Sequence, residues 1–304
     1  MFDSSSYRSQ PSRLVTGAWL EPRLKHVKIL DATWFLPPVH VGRNAEAEFI
    51  ERRLPNAIRF DLDEFSDPNE KELPHMLPPL NWFGEKMDQL GISPNDTIVV
   101  YDALGQFSAP RGFWNLWVLG AKDPKVLDGG LPKWIKDGRP LENGQPTVVI
   151  EPNPPGTWIS LATPRFDEIV HLENVEEFVQ HVLDGSENKN LQLLDSRPKN
   201  RFLGIDPEPR PNLKSGKIPG SLNVPFNSVL NADGTFKDKE SLRKLLEDAG
   251  VDLSGKSKVM TTCGSGTSAA ILSFVLSNIF GVKAPIYDGA FAQWGKDNSS
   301  RPVV

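Results

Sequence analysis

The chain contains a single cysteine, Cys263, among 304 residues. No internal disulfide can form, so the fold owes nothing to oxidation and a reducing compartment is the simple expectation. Positive charge is not in surplus either. With a formal net charge of -5 and no local run of Lys or Arg, the chain offers no basic face of the kind that grips nucleic acid. No apolar stretch approaches the roughly 20 residues of a membrane-spanning helix, so no membrane partner is expected. The histidines fall at no spacing that suits a metal ion, and neither a metal nor an organic cofactor is expected. The first 13 residues, MFDSSSYRSQPSR, have no apolar segment of the secretory type. They are serine-rich and partly basic, but Asp3 and the short length make a poor mitochondrial presequence, and a disordered tail is the expectation.

What the chain does have is length for two domains, each with a core of its own. It also has one stretch around which the rest is arranged, Lys258 to Phe280, KVMTTCGSGTSAAILSFVLSNIF. Val259 to Thr262 read as a buried strand. Ala269, Ile271, Leu272, Val275, Leu276 and Ile279 recur at helical spacing. Between strand and helix lie Cys263 and Gly-Ser-Gly-Thr-Ser, where two glycines let the backbone curl and small hydroxyl residues lead into the helix. Such a loop aims N–H groups at an anion, and the anion can be the cysteine's own sulfur. A thiolate held there is a nucleophile near neutral pH. The alternative is a small buried core residue, the common fate of a lone cysteine. Position favours the reactive reading, because Cys263 stands where the strand stops and the glycines begin.

The two halves of the chain say the same thing twice. A short strand ends in Asp31 and again in Asp195; a proline turn at Leu54-Pro55-Asn56-Ala57 returns as Ile218-Pro219-Gly220-Ser221. The later strand runs from Thr97 to Asp102 and again from Val259 to Cys263. Asp128 and Trp134 recur as Asp288 and Trp294, and all these pairs stand 160 to 164 residues apart. A domain-sized period means tandem duplication rather than a solenoid. Further elements expected in the first half are Leu14 to Leu20 with a helix to follow, a helix or turn over Ala45 to Arg53, a loop over Asp67 to Pro79 and a helix over Trp82 to Leu90. Glycine and four prolines interrupt Glu142 to Trp158, which places domains at 14–142 and 159–304 with a linker at 143–158. Strands alternating with helices predict an α/β class, two domains each with a mainly parallel sheet flanked by helices. Ligands in such sheets bind outside the carboxyl ends of strands, where Asp102 and Cys263 both stand. Aspartate cannot do thiolate chemistry. The C-terminal copy is therefore the catalytic one, and the N-terminal copy is expected to supply a wall of the cleft.

Several motifs together resemble the tandem-domain rhodanese-type sulfurtransferases. They are the loop Cys263-Gly264-Ser265-Gly266-Thr267-Ser268-Ala269, the downstream Tyr287-Asp288-Gly289 with Trp294, and His75-Met76-Leu77-Pro78 in the first half. The resemblance spans about residues 14–302 and implies two tandem rhodanese-like domains. Thiosulfate-preferring members usually carry basic residues directly after the cysteine. Gly264 and Ser265 are neutral, which suits the branch that uses 3-mercaptopyruvate.

The resemblance also implies roles. Cys263 is the nucleophile, and Gly264, Gly266, Thr267 and Ser268 line the sulfur and substrate. Arg201 and Arg210, in the family's R-F…E-P-R segment, bind the substrate's carboxylate and carbonyl; Arg's planar fork and fixed charge suit that task. From the residues alone these two are equally readable as surface charges paired to Asp206 and Glu208, while Arg197 reads as a structural partner of Asp195. Asp63 is implied to reach across the cleft and handle protons with Ser265, with Asp61 structural. His75 is implied to bind substrate, whereas a histidine in a polar loop is ordinarily exposed. Thr267 and Ser268 depart from the family's usual Val and Thr, and the added Thr267 hydroxyl either meets the bound sulfur or turns outward.

The implied reaction is sulfur transfer through a Cys263 persulfide, with release of pyruvate. A thiol, thioredoxin or cyanide then accepts the sulfur, and any release of hydrogen sulfide depends on that acceptor. The implied setting is cytoplasmic or mitochondrial. Two alternatives stay open: a thiosulfate:cyanide sulfurtransferase, and a non-catalytic rhodanese-like binding module. A cysteine phosphatase is excluded by Ala269, which stands where that chemistry wants an arginine.

Overall fold

The computed structural model describes residues 12–37, 39–185 and 190–304. The expected N-terminal tail therefore lies, over residues 1–11, outside the described residues. In the first half the chain forms β1 (Leu14–Val15), α1 (Gly17–Leu20), β2 (Lys28–Asp31), α2 (Ala45–Glu51), β3 (Ala57–Arg59), α3 (Leu80–Gln89), β4 (Thr97–Tyr101), α4 (Ala109–Val118), β5 (Asp123–Leu127) and α5 (Gly130–Lys136). A short α6 (Thr157–Leu161) follows. The second half forms β6 (Ile169–Val170), α7 (Leu172–Leu183), β7 (Leu191–Asp195), α8 (Lys199–Phe202), β8 (Leu222–Asn223), α9 (Lys239–Asp248), β9 (Lys258–Thr262), α10 (Ala269–Phe274), β10 (Ile286–Tyr287) and α11 (Ala290–Trp294). The segment 67–79 carries no helix or strand, as its prolines predict. Among the described residues no helix is long and apolar enough to cross a membrane.

Each half builds one five-stranded sheet. The strand orders are β1-β5-β4-β2-β3 and β6-β10-β9-β7-β8, the same topology twice. Every pairing is parallel. Sheets of this kind are covered by helices on both faces, so their central strands are apolar and β-branched throughout instead of alternating. Ile98 to Tyr101 and Val259 to Thr262 are all buried accordingly.

The duplicated residues repeat their bonds as well as their places. Trp134 Nε1 donates to the Pro140 carbonyl at 2.7 Å, and Trp294 Nε1 to that of Pro302 at 2.9 Å. Asp31 accepts from the amide two residues on at 2.8 Å, as Asp195 does at 2.9 Å. The halves close on each other through α4 and α10, which are equivalent helices and pack together. Phe113 and Phe274 meet there edge to face with centroids 5.0 Å apart, so one apolar core runs through the interface. Helix α10 continues as a π-helical turn, Val275–Phe280, where regular α-helix was expected to Ile279. Wide turns of that kind mark a break in the i→i−4 ladder.

The proline-rich joint ends in a fixed anchor. Trp158 is fully buried, with its ring 5.3 Å from Phe83 of α3 and its Nε1 donating to the Leu119 carbonyl at 2.9 Å. Its backbone N–H is bound by Asp88 Oδ1 at 2.9 Å. The linker therefore seats its end in the core of the first half. Trp158→Ala should lower unfolding free energy by about 3–5 kcal/mol, the usual cost of deleting a buried indole, as read from a urea titration followed by circular dichroism.

Candidate active site

Strand β9 ends at Thr262 and delivers Cys263 to the carboxyl edge of the second sheet. Cys263 is 2% exposed. One side of it rests among Trp114, Ala269 and Ile286; the other borders a cavity of about 290 Å³ between the halves. The residue is thus both packed and accessible, and each of the two readings open at the outset describes one of its faces. The loop holds its shape through a left-handed Gly266 at φ +79°. Its carbonyls are tied from below, with Phe291 N–H donating to Cys263 O at 2.9 Å and Ala292 N–H to Gly264 O at 3.0 Å. Ser268 and Ser196 share a hydroxyl bond at 2.9 Å. Of the loop amides expected to hold the sulfur, that of Ser265 reaches Sγ, at 3.4 Å.

The duplicate loop shows what the cradle binds. Asp102, fully buried, accepts the N–H groups of Leu104, Ser108 and Ala109 at 2.8, 2.9 and 2.7 Å. A carboxyl group stands there where the active copy carries sulfur. Burial pushes its pKa up, and the three amides oppose that shift.

Three arginines face the cavity, and they differ in how far they are already neutralised. Arg197 is buried and paired with Asp195 at 2.6 Å and Glu208 at 2.7 Å, consistent with its reading as a structural partner of that acid. Arg201 is also held by Glu208. It lies so close to the loop that a Cβ on Gly264 would sit 3.0 Å from its Nη2. Arg210 makes no hydrogen bond or ion pair among the described residues. Burial pushes its pKa down, and the charge at Cys263 is the leading influence the other way. Asp206, expected as a possible counter-ion, pairs with neither Arg201 nor Arg210 among the described residues; Glu208 takes Arg201 and leaves Arg210. The opposite wall of the cavity is apolar, built from Trp34, Leu104, Phe107 and Phe226.

Asp63 and Ser265 do not meet directly, as a two-residue proton-handling pair would require. His75 stands between them. Its Nε2 is 3.0 Å from Asp63 Oδ1, and its Nδ1 is 3.0 Å from Thr267 Oγ1 and 3.3 Å from Ser265 Oγ. A carboxylate only accepts, so Nε2 carries the proton and Nδ1 is free to accept from a hydroxyl. The His75 bond in turn holds Asp63 below the usual carboxylate range, and Trp34 Nε1 donates to its other oxygen at 3.0 Å. His75 is not the exposed loop residue its neighbours suggest: it is 3% exposed, sits behind Ser265 and does not line the cavity. Burial pushes its pKa down, and Asp63 opposes that. Thr267 turns neither outward nor to the sulfur. Its hydroxyl lies between His75 and Ser265, 3.4 Å from the latter. Asp61 binds Arg59 at 2.7 Å and caps the Asp63 amide at 2.9 Å, a structural role.

Two residues of the site carried no local signal. Trp34 and Arg111 come from the first half and become part of the site only because the halves face each other. Among the described residues no group of His, Cys, Asp and Glu could hold a metal ion.

Comparison with known proteins gives the family. The family model for the rhodanese-like domain matches twice, over residues 18–137 and 178–297. A human protein named 3-mercaptopyruvate sulfurtransferase is 34% identical over 289 residues, which cover 92% of this chain and 91% of the relative. An Arabidopsis thaliana protein named thiosulfate/3-mercaptopyruvate sulfurtransferase 1, mitochondrial, is 35% identical, covering 96% of this chain and 78% of its own. Among solved structures, SseA from Escherichia coli, described as having the rhodanese fold of 3-mercaptopyruvate sulfotransferases, superposes with a TM-score of 0.77 at 29% identity. It covers 92% of this chain and 99% of its own.

The filled cradle of the first half can be tested directly. Asp102→Ala strands three buried N–H donors at about 1–3 kcal/mol each, so a loss on the order of 3 kcal/mol or more is expected. Asp102→Asn keeps one acceptor and should lose less. Denaturant unfolding of both variants checks the order.

Proposed function

Because the chain belongs to the rhodanese family, with a rhodanese-like domain in each half, we propose that it transfers sulfur from 3-mercaptopyruvate through Cys263 to an acceptor thiol, thioredoxin or cyanide. One observation carries the choice of donor. The cysteine loop is neutral at Gly264 and Ser265, and Arg210 is the cavity arginine left without a partner among the described residues. A single unpaired guanidinium suits a donor with one carboxylate. Sequence likeness does not choose between donors, since the Arabidopsis relative is named for both thiosulfate and 3-mercaptopyruvate.

In this reading the Cys263 thiolate attacks the thiol sulfur of the donor. The S–S bond forms as the C–S bond breaks, leaving a Cys263 persulfide and the enolate of pyruvate. Arg210, with Arg201 beside it, faces the donor's carboxylate and carbonyl and stabilises charge developing on the enolate oxygen. The enolate carbon takes a proton and pyruvate leaves. Ser265 exchanges protons with the reacting group, and His75 Nδ1, backed by Asp63, accepts and returns them. The Ser265 amide supports the sulfur anion. An acceptor thiolate then attacks the outer sulfur, taking it away and restoring Cys263. The protein's own sulfur is the carrier, so the reaction needs no organic cofactor. The working units are residues 14–142 and 159–304, joined by 143–158, and of the two settings, mitochondrial and cytoplasmic, the name of the Arabidopsis relative supports the mitochondrial one.

Intact mass after brief incubation with each donor tests the reading. With 3-mercaptopyruvate the protein should gain one sulfur atom, and Cys263→Ser should gain none. A gain with thiosulfate alone would favour the thiosulfate:cyanide alternative; no gain with either donor would point to a binding module. The two arginines should separate in steady-state kinetics. Arg210→Lys should raise KM for 3-mercaptopyruvate by about 10–100-fold, the worth of one charge-assisted bond, and Arg201→Lys by less, because Glu208 already occupies that guanidinium.

A further inference from the structure

We propose that Arg111, on α4 of the first half, is a positioning residue for His75. Its guanidinium crosses beneath the cysteine loop, fixes the His75 backbone and presents a buried positive charge to the imidazole. The inference rests on the reading of His75 as part of the reacting site.

His75 needs holding. Its backbone is left-handed at φ +61°, a conformation that is strained for a non-glycine residue and persists only where the surroundings enforce it. The matching place in the second half, 159 residues later, is Gly234 at φ +81°, which meets the strain with a glycine. Arg111 Nη2 donates to the His75 carbonyl oxygen and, at 2.8 Å, to Asp288 Oδ1. The other oxygen of Asp288 accepts the Leu77 amide at 2.8 Å, so the chain is gripped on both sides of Met76.

A purely structural peg would not need this residue. Arg111 is 0% exposed, and its Nε and Nη1 have no hydrogen-bond partner among the described residues. Burying a charge with donors left over is costly. The equivalent stretch of α10 fills the same layer with Ile271 and Leu272, which are aliphatic. A buried cation thus serves the loop that has the cysteine and is missing opposite the loop that has Asp102. The cysteine loop accommodates it: a Cβ on Gly266 would lie 2.5 Å from Arg111 Nη1. The Trp114 ring, 4.5 Å from the guanidinium carbon, supplies part of the missing solvation.

Burial disfavours the imidazolium of His75, Asp63 favours it, and Arg111 and Arg210 disfavour it; Asp288, bound to Arg111 and to the Leu77 amide, is the other charged group beside it. The edge of Trp34 and the hydroxyls of Ser265 and Thr267 complete its surroundings. With the imidazole neutral, Nδ1 can accept a proton. Once it is protonated from the acid side, that capacity is gone.

The imidazole titration of His75 should be followed by NMR on histidine-labelled protein, with the signal assigned from His75→Gln. Compared with wild type, Arg111→Met should move the titration upward by about one pH unit, the lower end of what one nearby charge does. Arg111→Lys keeps the charge and should leave it near the wild-type position. If Arg111→Met does not fold, Arg111→Met/Asp288→Asn removes the pair together and should show an upward move of smaller size, because the opposing Asp288 charge goes with it. The acid limb of persulfide formation from 3-mercaptopyruvate should shift in parallel. A His75 titration unchanged in the methionine variants would overturn the proposal and leave Arg111 a packing residue. A wild-type enzyme that gains no sulfur would instead refute the sulfur-transfer reading, with the titration still deciding the role of Arg111.

Discussion

Each half of this protein closes the strand-end loop of the other. Asp128 of the first half accepts the Phe236 amide of the second at 3.0 Å, and Asp288 of the second accepts the Leu77 amide of the first at 2.8 Å. The two bonds are copies, made by residues in equivalent places on opposite sides of the α4–α10 contact. Polar groups buried in an apolar interface must find partners, so each bond sets how one half sits on the other. Neither loop is complete without the far half. The cysteine loop acquires its histidine, its carboxylate and its buried arginine from the half that has no nucleophile.

Duplication followed by divergence explains why one loop presents a thiol to a cavity and the other closes on a carboxyl group. Both are strand-to-helix turns that gather N–H groups around an acceptor. In the first half Asp102 occupies that position permanently, and Gly105 and Gly234 bring the two backbones so close that a Cβ on either would meet the other's Cα at about 3 Å. That approach closes the loop on the side that faces the other half. In the second half the acceptor is a thiol with a cavity beside it, and His75 replaces the glycine that seals the other site. The cost of forcing His75 into a left-handed backbone is borne only where its imidazole has a task.

Charge in the active cavity is sorted by pairing rather than by number. Asp195 and Glu208 are buried and bind Arg197 from two sides, a network in which every member has a partner and breaking one member would strand the others. Glu208 extends the network to Arg201 and stops there. Arg210, half-buried with no carboxylate of its own, supplies the unmatched positive charge beside the sulfur. The aromatic wall opposite it excludes water and strengthens each of these interactions.

Much of this was written in local pattern. The buried runs at Val259–Thr262 and Ile98–Tyr101, the paired Asp31 and Asp195, the glycine loop after Cys263 and the period of about 160 residues specify two parallel-sheet domains and put the nucleophile at a strand end. Those features depend on neighbours within a few residues, or on an internal copy, and a chain read in order reveals both. The sequence by itself could not say that His75 intervenes between Asp63 and Ser265, that Thr267 turns toward it, that Glu208 takes Arg201 and leaves Arg210 free, or that Arg111 belongs to the site at all. Each of those outcomes is a contact between residues scores of positions apart, or a contest among several charges for one partner. Such contests are decided by distances of a few tenths of an ångström and by which groups lose their water, and only the closing of one half upon the other determines them.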